Sequence, residues 1–395
     1  MIKETREAYN AAFTPAAYQQ FLAELNQNVA RKIEFRVAET PVFLDAAFKN
    51  KLITAGDELV AVIRQADFKQ LTEKSIPENW RVAHEKGQPH FLTFDFAVCR
   101  AENGELTPKL IELQGFPSLY GFQAELAEQF KKHFLVAQNF SPYFHHLNQE
   151  SYFELLRRTI VGNYSPEEVI LLDINAAEQK TVVDFNITAR HLGIAVVALH
   201  ELKQQGNQFF YTRDGQDYPV KKIYNRLIFD EIEDEKEAFQ NVPDLLTTDQ
   251  VEWVTHPNWF YRISKYTMPF LKSKFVPSTY FLSDLKTIPQ NLDDFVLKPL
   301  FSFAGQGVII DVSEADIKAI PDPENWILQE KVTYEPVIKA PDALVKCEIR
   351  LMYLWPDGDT EPTLAISLAR LSRGKMIGVR YNQDFDWVGG TVCLF

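Results

Sequence analysis

Two alternating runs that face each other across an Asn-Gly dipeptide constrain this chain more than any other feature. Leu92, Phe94, Phe96 and Val98 alternate with Thr93, Asp95 and Ala97, and Leu110-Ile111-Glu112-Leu113-Gln114 resumes the alternation after Glu102-Asn103-Gly104-Glu105. Side chains of a strand alternate between faces, and Asn-Gly suits the two central positions of a tight hairpin turn, so residues 90–114 read as an antiparallel pair. Asp95 and Glu112 stand at equal distances from that turn, which sets them opposite each other. Like charges directly opposed cost stability. Two readings follow. Either the acids lie on a solvated face, or a divalent cation sits between them. In the second case the Gln114 carbonyl, on the same face as Glu112, adds a hard oxygen of the kind Mg2+ takes. Pro108 cannot donate to the ladder and bears on the register.

The pattern differs on either side of the hairpin. Residues 1–80 are helical in spacing, with Tyr18, Phe21, Leu22 and Leu25 on one stripe and further helical segments around Leu44–Phe48 and Glu58–Ile63. They read as a helical cap on a larger body. Residues 81–150 hold the acidic hairpin. Residues 151–240 read as β-α-β, with the continuous apolar run Val169-Ile170-Leu171-Leu172, a helix ending near Gly193, and a second run, Ile194–Leu199. This is a small Rossmann-like unit without a glycine-rich dinucleotide fingerprint. Residues 241–395 alternate strands with glycine-bearing turns. The fold class is therefore α/β in the broad sense, or α+β.

Composition excludes several functions. At 395 residues, 46% apolar and 24% charged, the chain is an ordinary globular protein of two or three domains. No apolar run reaches the roughly 18 residues a membrane span needs. A net charge of -13, without any dense Lys/Arg block, argues against nucleic acid. Cys99, Cys347 and Cys393 are far apart, and the mixed-charge start Met-Ile-Lys-Glu-Thr-Arg-Glu is unlike a secretory signal. A reducing, cytoplasmic setting is expected, with neither a disulfide framework nor a zinc site. The adjacent His145 and His146 splay apart and make no shared metal site.

The second half carries the other chemical motifs. Phe295-Val296-Leu297-Lys298 sets one cation in an apolar run, and a buried lysine needs an anionic partner such as phosphate. Ser302-Phe303-Ala304-Gly305-Gln306-Gly307 follows, small enough to bring backbone N–H groups to phosphate oxygens, and then the apolar Val308-Ile309-Ile310. No Gly-Lys-Ser/Thr is present, so this is not a Walker A loop. Trp326-Ile327-Leu328-Gln329-Glu330 either borders a nucleobase or is an amphipathic edge. Glu348 and Arg350 share a face and either pair locally or serve a ligand.

In order and spacing these motifs resemble the ATP-grasp superfamily. The acidic strand comes first and the lysine strand last, as in the circularly permuted branch typified by the synthetase domain of glutathionylspermidine synthetase. The resemblance implies an ATP-grasp core with a Rossmann-like pre-ATP-grasp subdomain over 151–240 and lysine and glycine-loop subdomains over 241–395. It implies that ATP is held by Lys298 and by Lys265, which lies in Trp259–Tyr266, 33 residues earlier. Gly305, Gln306 and Gly307 would form the flap, and Gln329 and Glu330 would border the adenine. Mg2+ would sit on Asp95, Glu112 and Gln114. An arginine would hold an acyl phosphate. Arg380, in Ile377-Gly378-Val379-Arg380, resembles a Gly-Ile-Arg motif of the family, with Arg350 and Arg370 as alternatives. Arg226 either clamps a substrate carboxylate or is a surface arginine.

Two departures stand out. Gln114 replaces the usual Asn, and Gly115-Phe116-Pro117-Ser118 replaces an Asn-Ala-Asp run, so the substrates need not be glutathione or spermidine. No amidase-like cysteine site accompanies the motifs. The implied reaction is ATP- and Mg2+-dependent, ADP-forming ligation of a small-molecule or peptide carboxylate to an amine. A phosphotransferase on the same scaffold and a nucleotide-binding interaction module are the rivals. The oligomeric state stays open.

Overall fold

A computed structural model describes residues 1–395 apart from 28, 30, 86, 229–243, 302–305, 375–376, 378–381 and 383. The chain opens with helices α1 (Lys3–Ala12) and α2 (Pro15–Leu25), strand β1 (Val42–Phe43), and helices α3 (Ala46–Ile63) and α4 (Phe68–Leu71). The hairpin strands β2 (Phe91–Arg100) and β3 (Leu106–Gln114) follow, then α5 (Tyr120–His133) and α6 (Gln149–Ile160). Next come β4 (Val169–Asp173), α7 (Val182–Leu192), β5 (Ala195–Ala198), β6 (Lys203–Gln205), β7 (Gln208–Arg213), β8 (Gln216–Val220), β9 (Lys222–Asn225) and β10 (Glu252–Val254). The last part holds β11 (Thr279–Phe281), β12 (Phe295–Pro299), β13 (Trp326–Glu330), β14 (Ile338–Lys339), β15 (Leu344–Leu354), β16 (Thr363–Ser372) and β17 (Gly389–Leu394).

These strands make four sheets. The largest has the order β1-β17-β16-β15-β2-β3, with β14 added beside β15. It joins the two ends of the chain: β1 runs parallel to β17, and β2 lies antiparallel to β15. A parallel sheet, β10-β9-β4-β5, carries the βαβ unit. A small antiparallel sheet, β11-β13-β12, holds the lysine strand, and β6-β7-β8 forms a separate meander.

Helix α3 shows how the large sheet is covered. Asp45 caps it by accepting from Phe48 N–H at 2.8 Å, and Phe48, Leu52, Ala55, Leu59 and Ile63 follow at helical spacing as its buried face. Gly56 lets it approach β15 closely, because a Cβ there would lie 1.9 Å from the Tyr353 hydroxyl. Phe94, Phe96, Val98, Ile349 and Leu351 share one core with that helix. The opposite sheet face divides in two. Phe91, Met352 and Leu354 pack at one end against residues of α5, α6 and α7. The other end carries charge.

The hairpin reaches the expected pairing by an unexpected route. Arg100 pairs with Leu106 and Phe96 with Leu110, so the connection is five residues long rather than two. An irregularity between Asp95 and Phe96 then makes Ile111 an extra residue, and Asp95 pairs with Glu112 after all. The bulge also reverses a face. In a regular strand Leu110 and Glu112 would point the same way. Here Leu110 is fully buried in the core, while Glu112 pairs with Asp95 on the charged side. Pro108 sits in β3, which is the edge strand, where a missing N–H costs no ladder bond.

Candidate active site

The charged end of the large sheet is a closed network. Cross-strand register sets Arg350 of β15 opposite Asp95 of β2, and Glu348 opposite Arg370 of β16. Arg350 donates to Asp95 through Nε at 2.5 Å and Nη2 at 2.6 Å, and Arg370 Nη2 donates to Asp95 Oδ2 at 2.8 Å. Arg370 Nη1 lies 3.4 Å from Glu348 Oε1, whose other oxygen accepts from the Tyr334 hydroxyl at 2.8 Å. Glu348 and Arg350 therefore each take a cross-strand partner. Asp95 is 2% exposed, so these acids do not occupy a solvated face. Burial, the largest influence, pushes the Asp95 carboxyl up, but Arg350 and Arg370 outweigh it and hold Asp95 below its ordinary value. Glu348 shifts upward, from burial first and from the neighbouring Asp95 and Glu112 charges, against the pull of Arg370.

Lysines border this network from the other side. Lys298 Nζ donates to Gln329 Oε1 at 2.6 Å and to the carbonyl of Ile111, the bulge residue, at 3.1 Å. Segments 187 residues apart thus meet through one ammonium group. Gln329 is fixed in turn by donating to the Thr279 hydroxyl at 3.2 Å. Burial lowers the Lys298 ammonium to about 8, with Glu112 opposing and Lys265 reinforcing the shift. Lys265 is also lowered by burial, again against Glu112. It begins a 3-10 turn, Lys265–Phe270, after Ser264, whose hydroxyl caps Tyr266 N–H.

Glu112, Gln114, Phe116, Phe260, Ser264, Lys265 and Phe301 are among the residues that line an open cavity. Gln114 Nε2 donates to Glu112 Oε1 at 3.0 Å, which leaves the Gln114 carbonyl as the free end of the amide. Glu112 retains 20% side-chain exposure.

Other candidates fall elsewhere. The Glu330 carboxylate accepts from Ser278 N–H at 3.0 Å on an exposed edge, while the Gln329 side chain faces Lys298. Gln306 is exposed, and Gly307 adopts φ +73° against Pro299. Gly305 and Arg380 lie outside the described residues. Arg226 sits over the rings of Phe116 and Phe185, at 4.5 and 5.2 Å. Among the described residues no group of three or more His, Cys, Asp or Glu side chains is arranged to hold a metal ion. No helix among them is long and apolar enough to cross a membrane. All three cysteines are free and buried. Tyr334 and Thr279, which steady the network, were invisible in the sequence because neither belongs to a motif. Phe116 and Phe260 fall in segments singled out beside Gln114 and Lys265, but no pattern there marks them as a cavity wall.

No protein-family model and no curated protein matches the sequence. Among solved structures, a glutathione synthetase-like effector from Globodera pallida, determined in its apo form, superposes with a TM-score of 0.58 at 12% identity. The match covers 92% of this chain and 96% of the effector, so the mixed α/β architecture as a whole is similar to that of a glutathione synthetase-like protein.

Proposed function

We propose that this chain is an ATP-grasp ligase of the circularly permuted type, which joins a carboxylate to an amine with release of ADP and phosphate. The carrying observation is that Lys265, Glu112 and Gln114 line one cavity while Lys298, from a distant strand, bonds the Ile111 carbonyl beside Glu112 and feels the charges of both Glu112 and Lys265. The shared fold with a glutathione synthetase-like effector supports the scaffold.

The residues suit the roles. A carboxylate and a triphosphate repel each other, and positive groups between them lower that barrier. With a value of about 8, Lys298 remains mostly ammonium at neutral pH, and a phosphate nearby favours that form further. Its two present acceptors are neutral oxygens, so its charge is not cancelled in contact. Lys265 lines the cavity itself.

A hydrated Mg2+ fits Glu112 and the Gln114 carbonyl, because such an ion uses one or two protein oxygens beside the nucleotide phosphates. Asp95, spent on three guanidinium hydrogen bonds, offers a hydrated ion no open face. We therefore assign Asp95 to positioning Arg350 and Arg370 rather than to the metal. When bound, Mg2+ would neutralise charge developing on the β- and γ-oxygens. Phe116, Phe260 and Phe301 give the cavity apolar walls, which would help shield an acyl phosphate from water.

The test follows ADP and phosphate release over a panel of acids and amines, together with amide formation. Lys298→Ala is expected to weaken nucleotide binding, and Glu112→Ala to abolish turnover while sparing binding more. Full activity in both variants would overturn the assignment. A phosphorylated product without an amide would mark a phosphotransferase. The locked Asp95 favours a second reading, a nucleotide-binding module without turnover, which would bind ATP and release no ADP with any pair.

A further inference from the structure

We propose that Arg226 is a receptor for a carboxylate of the acid substrate, placed at the carboxyl edge of the parallel sheet and one aromatic ring away from the lysine cavity. The word substrate rests on the ligase reading; the anion receptor does not. Arg226 follows β9 directly, and its backbone N–H donates to the Leu172 carbonyl at 2.9 Å, which sets it beside Asp173 at the end of β4. Open parallel sheets bind ligands outside the carboxyl ends of their strands. The guanidinium lies over Phe116 and Phe185, and Phe116 also lines the cavity that holds Glu112 and Lys265.

The decisive feature is what the guanidinium lacks. Its Nε and Nη1 are buried and have no hydrogen-bond partner among the described residues. Two acids stand near enough to feel its charge, but each is committed elsewhere. Asp184 accepts from Leu119 N–H at 3.0 Å and Phe122 N–H at 2.9 Å, capping α5. Asp173 accepts from Asn175 N–H at 3.0 Å. Donors stripped of water and left without acceptors are costly to a fold. A ligand that supplies the acceptors removes that cost. A planar carboxylate suits it best, because it accepts from two guanidinium nitrogens at once while the aromatic faces hold the guanidinium flat.

The test measures thermal protection of the full chain by acetate, succinate, glycine and triglycine, each against its amide, and by a non-hydrolysable ATP analogue in a separate arm. Free acids are expected to raise the melting temperature and amides to have no effect. Arg226→Gln is expected to lose at least tenfold in apparent affinity for the acids while the nucleotide response persists. Arg226→Lys keeps the charge but not the fork, and is expected to retain a weakened response; it carries the test if the glutamine variant fails to fold. Equal protection by acids and amides, no protection by any acid at 50 mM, or an unchanged acid response in the variants would overturn the proposal. Acid protection without nucleotide protection would leave the receptor standing and sink the ligase reading. The converse would do the opposite.

Discussion

Asp95→Asn is the sharpest probe of the buried network, because it keeps the shape of the side chain and deletes one charge. Asp95 is 2% exposed and accepts three hydrogen bonds from Arg350 and Arg370. Without it, the ion-pair partners left among the described residues are Glu112 at 3.9 Å for Arg350 and Glu348 for Arg370. Removing one partner of a buried ion pair costs about 3–5 kcal/mol, since the other charge stays desolvated and uncompensated. A chain of this length unfolds with an entropy of about 0.8 kcal/mol/K if it melts as one unit, so the variant should melt about 5 °C lower. Differential scanning calorimetry measures this directly. The pH dependence gives a second signature. The folded carboxyl titrates below its ordinary value of 3.8, so its contribution is complete above that pH and disappears as pH falls through the depressed folded value. The gap between wild type and variant should be constant from pH 7 to about 4.5 and close only in stronger acid. A variant that melts at or above the wild-type temperature would refute the reasoning. That result would mean that Asp95 mainly repels Glu112 and Glu348 and awaits a cation of its own.

Three further outcomes follow from particular contacts. Nucleotide affinity should fall as pH rises above about 8, where the free Lys298 ammonium loses its proton, whereas Lys298→Met should bind weakly with no such slope; equilibrium binding from pH 6.5 to 9.5 separates them. Deleting Ile111 removes the bulge but leaves Asp95 opposite Glu112, so the chain should fold, lose one acceptor of Lys298 at a cost of about 1–3 kcal/mol, and bind nucleotide more weakly; unchanged affinity would free the bulge of any role. Gly56→Ala forces a methyl group against the Tyr353 hydroxyl and should cost about 1–3 kcal/mol, and Tyr353→Phe, which removes an oxygen without a hydrogen-bond partner among the described residues, should rescue it in denaturant titrations of the double variant.

The sequence made legible whatever depends on local pattern. The alternation marked both hairpin strands, the apolar run marked β4, and Gly193, at φ +73°, closes the helix expected to end there. The opposition of Asp95 and Glu112 was legible only through two departures that cancel: a longer turn and a bulge. Alternation also carried a false implication, because the polar face of β2 is not solvated. Thr93 and Asp95 are buried like Phe94 between them and Phe96 beyond. Hydrophobic pattern distinguishes two faces but not water from a buried ion network. The partners of Asp95 were illegible because they depend on β15 lying beside β2, and no local signal dictates a pairing across more than two hundred residues.

That long-range pairing bears on how the site is held together. Asp95 and Arg350 are adjacent only because the large sheet sets an early strand beside a late one, and Lys298 reaches the hairpin from a different sheet. The first contact is an ion pair buried inside one sheet. The second is a single ammonium bridging two sheets, onto a carbonyl and an amide. Their strengths differ accordingly: a buried charge pair is costly to break, while a bond from Lys298 to a neutral oxygen can be exchanged for one to a phosphate. The acid–arginine network is therefore the fixed side of this junction, and Lys298 is the side whose bonds can be exchanged.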